Sequence, residues 1–124
     1  MTQKIANWLG EFEDMGVPTV DALWGEGWAI FPRGLRQTVR ADILGGQQAR
    51  VRAEFALKLH RKKDPRGEDP GVEAMWQRLA LWVRSGAPRF GQSQTVRLEN
   101  ARLSAQNKED MARYEATLIV EFTQ

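Results

Sequence analysis

The side chains able to do chemistry are few and scattered. The only histidine, His60, stands beside Arg61 and Lys62, with no cysteine anywhere in the chain to join it. A lone imidazole without a second His, a Cys or clustered carboxylates cannot build a usual metal site, and a general base needs a nucleophile or substrate proton within reach. His60 is therefore expected to be an exposed histidine at a strand end. Ser85, Ser93 and Ser104 lack the G-x-S-x-G context of an activated serine. The glycines at 25, 27, 45 and 46 lack both the phosphate-loop lysine and dinucleotide-type spacing, so they are expected in turns. Glu11, Glu13 and Asp14 crowd the end of a helical pattern, where a solvated face explains them better than an acid–base pair. No catalytic motif, metal site or cofactor site emerges, and no enzymatic activity is expected.

What the sequence does write clearly is structure. Residues 48–60, QARVRAEFALKLH, alternate: Ala49, Val51, Ala53, Phe55, Leu57 and Leu59 on one side, Arg50, Arg52, Glu54, Lys58 and His60 on the other. A period of two is that of a strand with one face for a core and one for water or a partner. Residues 37–44 alternate too, with Val39, Ala41 and Ile43 inward and Arg40 and Asp42 outward, and Gly45-Gly46 follows. An antiparallel hairpin is expected, with a looser turn through Gln47 as the other option. A third alternation over 112–122 turns Tyr114, Ala116, Leu118, Val120 and Phe122 inward. Between 95 and 103 the apolar phase changes, which predicts a bulge near Asn100. A polar turn is expected at 107–110.

Two helices accompany the strands. Ile5, Trp8, Leu9 and Phe12 form one stripe behind a Thr2 cap, with Gly16 and Pro18 as stops. Val72, Met75, Trp76, Leu79, Ala80, Trp82 and Val83 form a second, opened by Asp69 and Pro70 and closed by Gly86 in a left-handed conformation. Residues 17–34 read as a long connection packing aromatics, with a short strand around 28–31 as an option. The expected fold is α+β, in the order helix-strand-strand-helix-strand-strand, with an antiparallel sheet carrying both helices on one face.

At 124 residues, with 42% hydrophobic and 27% charged residues, the chain suits one soluble domain spanning 1–124. A domain of this size buries roughly 60–70% of its unfolded surface, enough for a core without disulfides. The longest apolar run, 79–83, is too short for a membrane span, and the interrupted apolar positions of residues 5–12 are not a secretory signal. Eighteen basic residues nearly balance sixteen acidic ones, so a pI near 9.3 does not by itself imply nucleic acid. Residues 61–71, RKKDPRGEDPG, hold seven charges, two prolines and two glycines, and read as a mobile, solvated loop.

The candidate site is a surface. Arg40, Arg50, Arg52 and Lys58 can share the outer sheet face with Asp42, Glu54, Glu115 and Glu121. Such mixed signs suit a subunit interface better than a nucleic-acid face, which is more uniformly basic and often carries stacking aromatics. Arg61, Lys62 and Lys63 extend the basic set into the loop. Of the five tryptophans, Trp8, Trp76 and Trp82 fall on helix stripes, whereas Trp24 and Trp28 have no periodic reason and are candidate interface anchors.

The segment 36–124 resembles a family of small long-tailed phage and prophage proteins called minor capsid, tail completion or tail terminator proteins. Trp76, Leu79, Ala80, Leu81, Trp82 and Val83 look like the family's aromatic-x-x-aromatic-Ala-x-Trp helix. The ending from Ala112-Arg113-Tyr114-Glu115-Ala116 to Phe122 is similar to its closing strand, and Phe55-Ala56-Leu57 to its first long hairpin. Residues 24–34 and 61–71 depart from the pattern. The resemblance implies a structural virion protein, made in the bacterial cytoplasm, that forms a ring, usually of six, at the head-proximal end of the tail. There it would end tube growth and join the head, with tail-tube and head-completion proteins as partners and no cofactor. A small nucleic-acid-binding module using the basic sheet face stays open as the alternative.

Overall fold

A computed structural model describes residues 1–41, 43–62, 70–106 and 111–124, except for the side chains of Pro70 and residues 104–106. The elements are α1 (Thr2–Leu9), β1 (Thr19–Val20), β2 (Gly27–Ala41), β3 (Gln47–Lys62), α2 (Pro70–Trp82), β4 (Gln92–Gln106) and β5 (Met111–Thr123). They build an α+β fold on one five-stranded sheet in the order β1-β2-β3-β5-β4.

The sheet is mixed, which corrects the antiparallel expectation: β1 runs parallel to β2, pairing Thr19 with Ala29 and Val20 with Ile30. β1 has only two residues, too few to show a period. β2, in turn, is one strand of 15 residues where the sequence reads a connection and a separate strand. Pro32 and Gly34 hide its continuity, but a register shift between them, a bulge at Arg33, lets the ladder continue. The bulge also preserves the phase, so Leu35 lies opposite Ala53 as Pro32 lies opposite Phe55. The same device acts in β4, where the register shifts between Glu99 and Arg102 and Asn100 has φ of 57°. Leu103 thereby returns to the face of Val96 and Leu98.

The alternating residues of β3 and β5 behave as expected. Val51, Ala53, Phe55, Leu57 and Leu59, with Tyr114, Ala116, Leu118, Val120 and Phe122, are buried in one core with both helices. From α1 come Ile5, Ala6, Trp8, Leu9 and Phe12; from α2 come Val72, Met75, Trp76 and Leu79, with Val83 just beyond its end. Trp8 stacks on Trp82 with centroids 4.8 Å apart, joining the two helices over the sheet. Burying each of these large apolar side chains contributes about 1.5–3 kcal/mol.

The helix ends differ in detail from expectation. Met1, not Thr2, is the N-cap of α1, and the helix ends at Gly10 rather than near Gly16. A Cβ at Gly10 would come within 2.5 Å of Val17 Cγ2, so the returning chain packs directly on the glycine. Gly86 has the expected positive φ, 84°. The Asp69 cap, the turn at 107–110 and most of the charged 61–71 segment lie outside the described residues. Arg61 and Lys62 belong to β3, and Pro70 and Gly71 to α2, so these four residues are not part of a loop.

Candidate interaction surface

Strand length and helix length do not match. At about 3.3 Å per residue, the 16 residues of β3 run roughly 53 Å. At 1.5 Å per residue, α1 and α2 reach only about 12 and 20 Å with their 8 and 13 residues. The helices cover one end of the sheet, and the segment after α2 extends the cover through Phe90, whose ring lies 6.0 Å from that of Phe122. Beyond Val51, the β2–β3 hairpin has nothing over it among the described residues. It is an arm.

On the arm the inward phase is as read but the burial is not. Leu35 and Val39 stand opposite Ala53 and Ala49 on the helix-bearing side, yet are 67% and 56% exposed. Ile43 and Leu44, read as the end of a strand, belong to the turn after Ala41 and are fully exposed. Ala41 pairs with Gln47, so the connection is longer than a Gly-Gly hairpin turn, and Gly45 supplies its positive φ of 82°. Four large apolar side chains thus project from one hairpin. Moreover, β1 pairs only with Ala29 and Ile30, so among the described residues nothing pairs with the outer edge of β2 along the arm.

The opposite sheet face carries the mixed charges. Arg52 pairs with Glu54 at 3.0 Å and Glu121 at 3.7 Å, Arg97 with Glu99 at 2.7 Å and Glu121 at 2.6 Å, and Arg33 with Glu115 at 3.3 Å. The carboxyl of Glu121 is held below its usual range, chiefly by its hydrogen bond to Arg97. Ile119, in the outward phase, is only 1% exposed; its ladder neighbours are Glu54 and Arg97, long side chains whose stems can cover it.

The predicted site residues are therefore only partly brought together. Arg50 donates to the Ser93 carbonyl at 3.0 Å and to Thr123 Oγ1 at 3.1 Å, which ties the base of the arm to the far end of β4 and β5. Lys58 sits 4.8 Å from the centroid of Phe31. Arg40 is exposed on the arm, and Arg61 and Lys62 are exposed at the other end of β3. Lys63 and Asp42 lie outside the described residues. The two tryptophans separate. Trp24 is 90% exposed, whereas Trp28 is 4% exposed in the core, donating from Nε1 to the Gly16 carbonyl at 2.9 Å. Trp28 is not an available interface anchor, because β2 begins at Gly27 and turns its ring inward.

His60 is half-buried, not exposed. It lines a recess with Trp24, Phe31, Lys58 and Arg113. Burial holds its pKa below the usual range, and Arg113 and Lys58 act in the same direction, against a backbone hydrogen bond at Gly25. Among the described residues no group of three or more His, Asp or Glu could hold a metal ion. No helix there is long and apolar enough to cross a membrane.

A groove of about 440 Å³ lies between α2 and the bulged part of β4, lined by Trp76, Ala80, Leu98, Asn100, Leu103 and, at its rim, Glu73. Trp76 Nε1 is buried with no hydrogen-bond partner among the described residues. A buried donor left unmade costs about 1–3 kcal/mol. Sequence reasoning missed both groove and arm. The signal for the arm was arithmetic, two short helices against strands too long for them.

Comparison with known proteins finds no matching family model, no matching curated protein and no matching solved structure.

Proposed function

We propose that this protein is a non-catalytic structural subunit that assembles with copies of itself into a ring at the head-proximal end of a long-tailed phage or prophage tail, ending tube growth and joining head to tail. The observation that carries the assembly part of this reading is the arm. Leu35, Val39, Ile43 and Leu44 are exposed on one projecting hairpin. Scattered exposed apolar residues are ordinary, but an apolar row on a single projection marks an interaction site. The tail assignment rests on the resemblance of residues 36–124. Ring closure needs heterologous contacts, in which one face of a subunit meets a different face of the next. An arm at one end of the sheet and a groove at the other supply two such faces.

The alternative, a nucleic-acid module using Arg50, Arg52, Lys58, Arg61, Lys62 and Lys63, has less support. Arg50 and Arg52 are engaged within the chain and acids interrupt the face. That module would retard DNA at low salt and lose it steeply as salt rises.

Electron microscopy tests the leading reading on concentrated protein and on tails assembled with and without it. Annular particles and tubes of uniform length are expected with the protein present. A strict monomer that leaves tube length unregulated would overturn the assignment.

A further inference from the structure

Successive residues of an antiparallel strand point their N–H and C=O groups alternately to one side and the other. The Ala49 carbonyl accepts from the Gln124 N–H at 2.8 Å, so Ala49 turns toward β5, and its partner Val39 turns away from β3. The same phase holds at the covered end, where Ile30 accepts from the Asp21 N–H at 3.0 Å on the outer edge. Leu35, Gln37, Val39 and Ala41 therefore present both backbone groups to an edge that nothing pairs with among the described residues. The row is bounded by Pro32 and the bulge at Arg33 on one side and by the end of β2 at Ala41 on the other. A bounded row of free donors and acceptors fits an added strand.

We infer that this strand is the same edge of a second copy, antiparallel, with Gln37 opposite the second copy's Gln37. In that register the outward-turned residues face one another, Leu35 with Val39 on both sides of the axis, and exchange roughly six hydrogen bonds. Leu35 and Val39, 67% and 56% exposed on the helix-bearing side, become cross-strand apolar pairs. On the other face Arg36 meets Thr38 and Arg40 meets Gly34, so no charge opposes its like. The neighbouring registers fail. Centred on Thr38, the pairing opposes Arg36 to Arg40; centred on Arg36, it opposes the two Arg36 side chains, and like charges directly opposite are destabilising. Centred on Val39, it leaves Leu35 beyond Ala41, where the strand ends. The sequence LRQTV is thus complementary to itself in one register. The contact is twofold, so it lies outside the head-to-tail series of a ring and stands apart from the tail assignment.

The chain has no cysteine, so introduced thiols report the contact without interference. Gln37, Leu35, Val39 and Thr38 are all exposed, so changes there leave the core intact. At the axis two Gln37→Cys residues lie about 5.5 Å apart between Cα atoms, within disulfide reach, whereas two Leu35→Cys residues lie about 13 Å apart. After mild oxidation of the full chain, Gln37→Cys is expected to run as a covalent dimer that reductant collapses, and Leu35→Cys and Val39→Cys as monomers. Sedimentation of the cysteine-free chain reads the same contact by charge. Thr38→Arg sets an arginine against the second copy's Arg36 and is expected to weaken association at least tenfold, while Thr38→Glu strengthens it. Gln37→Pro removes an outward N–H and no bond of the β2–β3 ladder, so it abolishes association while the low-concentration melt matches the parent. A monomeric Gln37→Cys would overturn the inference, as would Leu35→Cys or Val39→Cys dimerising as efficiently, the mark of exposed hairpins colliding. Equal association of the two Thr38 variants would sink it too and direct the search to a strand from another protein.

Discussion

Leu57 is the centre of the central strand, wholly buried, with Ile30 and Ala116 beside it on the ladder. Leu57→Ala removes those contacts and leaves a cavity in a close-packed interior, so a loss of about 2–5 kcal/mol is expected. Urea unfolding followed by tryptophan fluorescence reads it as a lower midpoint at unchanged slope. His60 makes a prediction of the opposite kind, in pH rather than size. Its folded pKa lies below the unfolded value near 6.5, through burial first and the positive charges of Arg113 and Lys58 next. Between those two values the unfolded chain binds more protons than the folded one, so stability falls as pH drops below about 6.5. The His60→Gln variant removes this contribution, and thermal melts across pH 5–8 should show a flatter acid limb than the parent. Glu121 adds a separate loss at lower pH, since its depressed pKa means that the ionised form is the one Arg97 and Arg52 favour.

Among the elements, the β2–β3 hairpin divides into a covered half and an uncovered half. In the covered half Trp28 and Ile30 face Leu59 and Leu57 inside the core, and substitutions there act on stability. In the uncovered half Leu35 and Val39 are on the same face but mostly exposed. Replacing both with Thr keeps β-branched or strand-compatible side chains and removes apolar surface that the isolated subunit never buries. A change within about 0.5 kcal/mol is expected in chemical unfolding at low concentration. A loss of several kcal/mol would show instead that the arm folds against its own domain. Gly45 is the sensitive point of the turn: at φ of 82°, Gly45→Ala forces an L-residue into the left-handed region, costing about 1–2 kcal/mol. Amide exchange in the arm would read that as faster opening near the tip.

For the whole molecule, anything that binds the folded state and not the unfolded one raises apparent stability by mass action. If copies associate through the arm, the melting temperature of the parent rises with protein concentration, whereas that of Gln37→Pro does not. Differential scanning calorimetry over two decades of concentration checks this, and a concentration-independent parent would leave the exposed row without a self-partner. The two helices bear on the same point. With Trp8 stacked on Trp82 and Arg78 bonded to Glu13, they form a cap over one end of the sheet only. A domain whose sheet outruns its cap has its unsatisfied apolar surface at the far end.

By itself, the sequence determined what short-range periodicity can carry. Alternation in 48–60 and 112–122 specified the inward rows of β3 and β5, the stripes at Ile5–Phe12 and Val72–Val83 specified the buried helix faces, and the phase change near Asn100 marked the bulge in β4. These are legible because a side chain's face follows from the local backbone period. Mixed signs on the outer sheet face were legible for the same reason, since Arg52, Glu54 and Glu121 share a phase and form ion pairs. The tertiary structure decided what depends on which segments meet. Pro32 and Gly34 read as breaks, yet a bulge at Arg33 joins both halves of β2 because β3 is there to pair with them. Trp28 lacked a periodic partner in sequence and found its place through the Gly16 carbonyl, twelve residues away. Val39 and Ile43 carry the apolar pattern of a core, but burial requires a covering layer, and the helices are too short to supply one that far along the sheet. Pattern states which way a side chain faces; only the assembled layers decide whether anything is there to meet it.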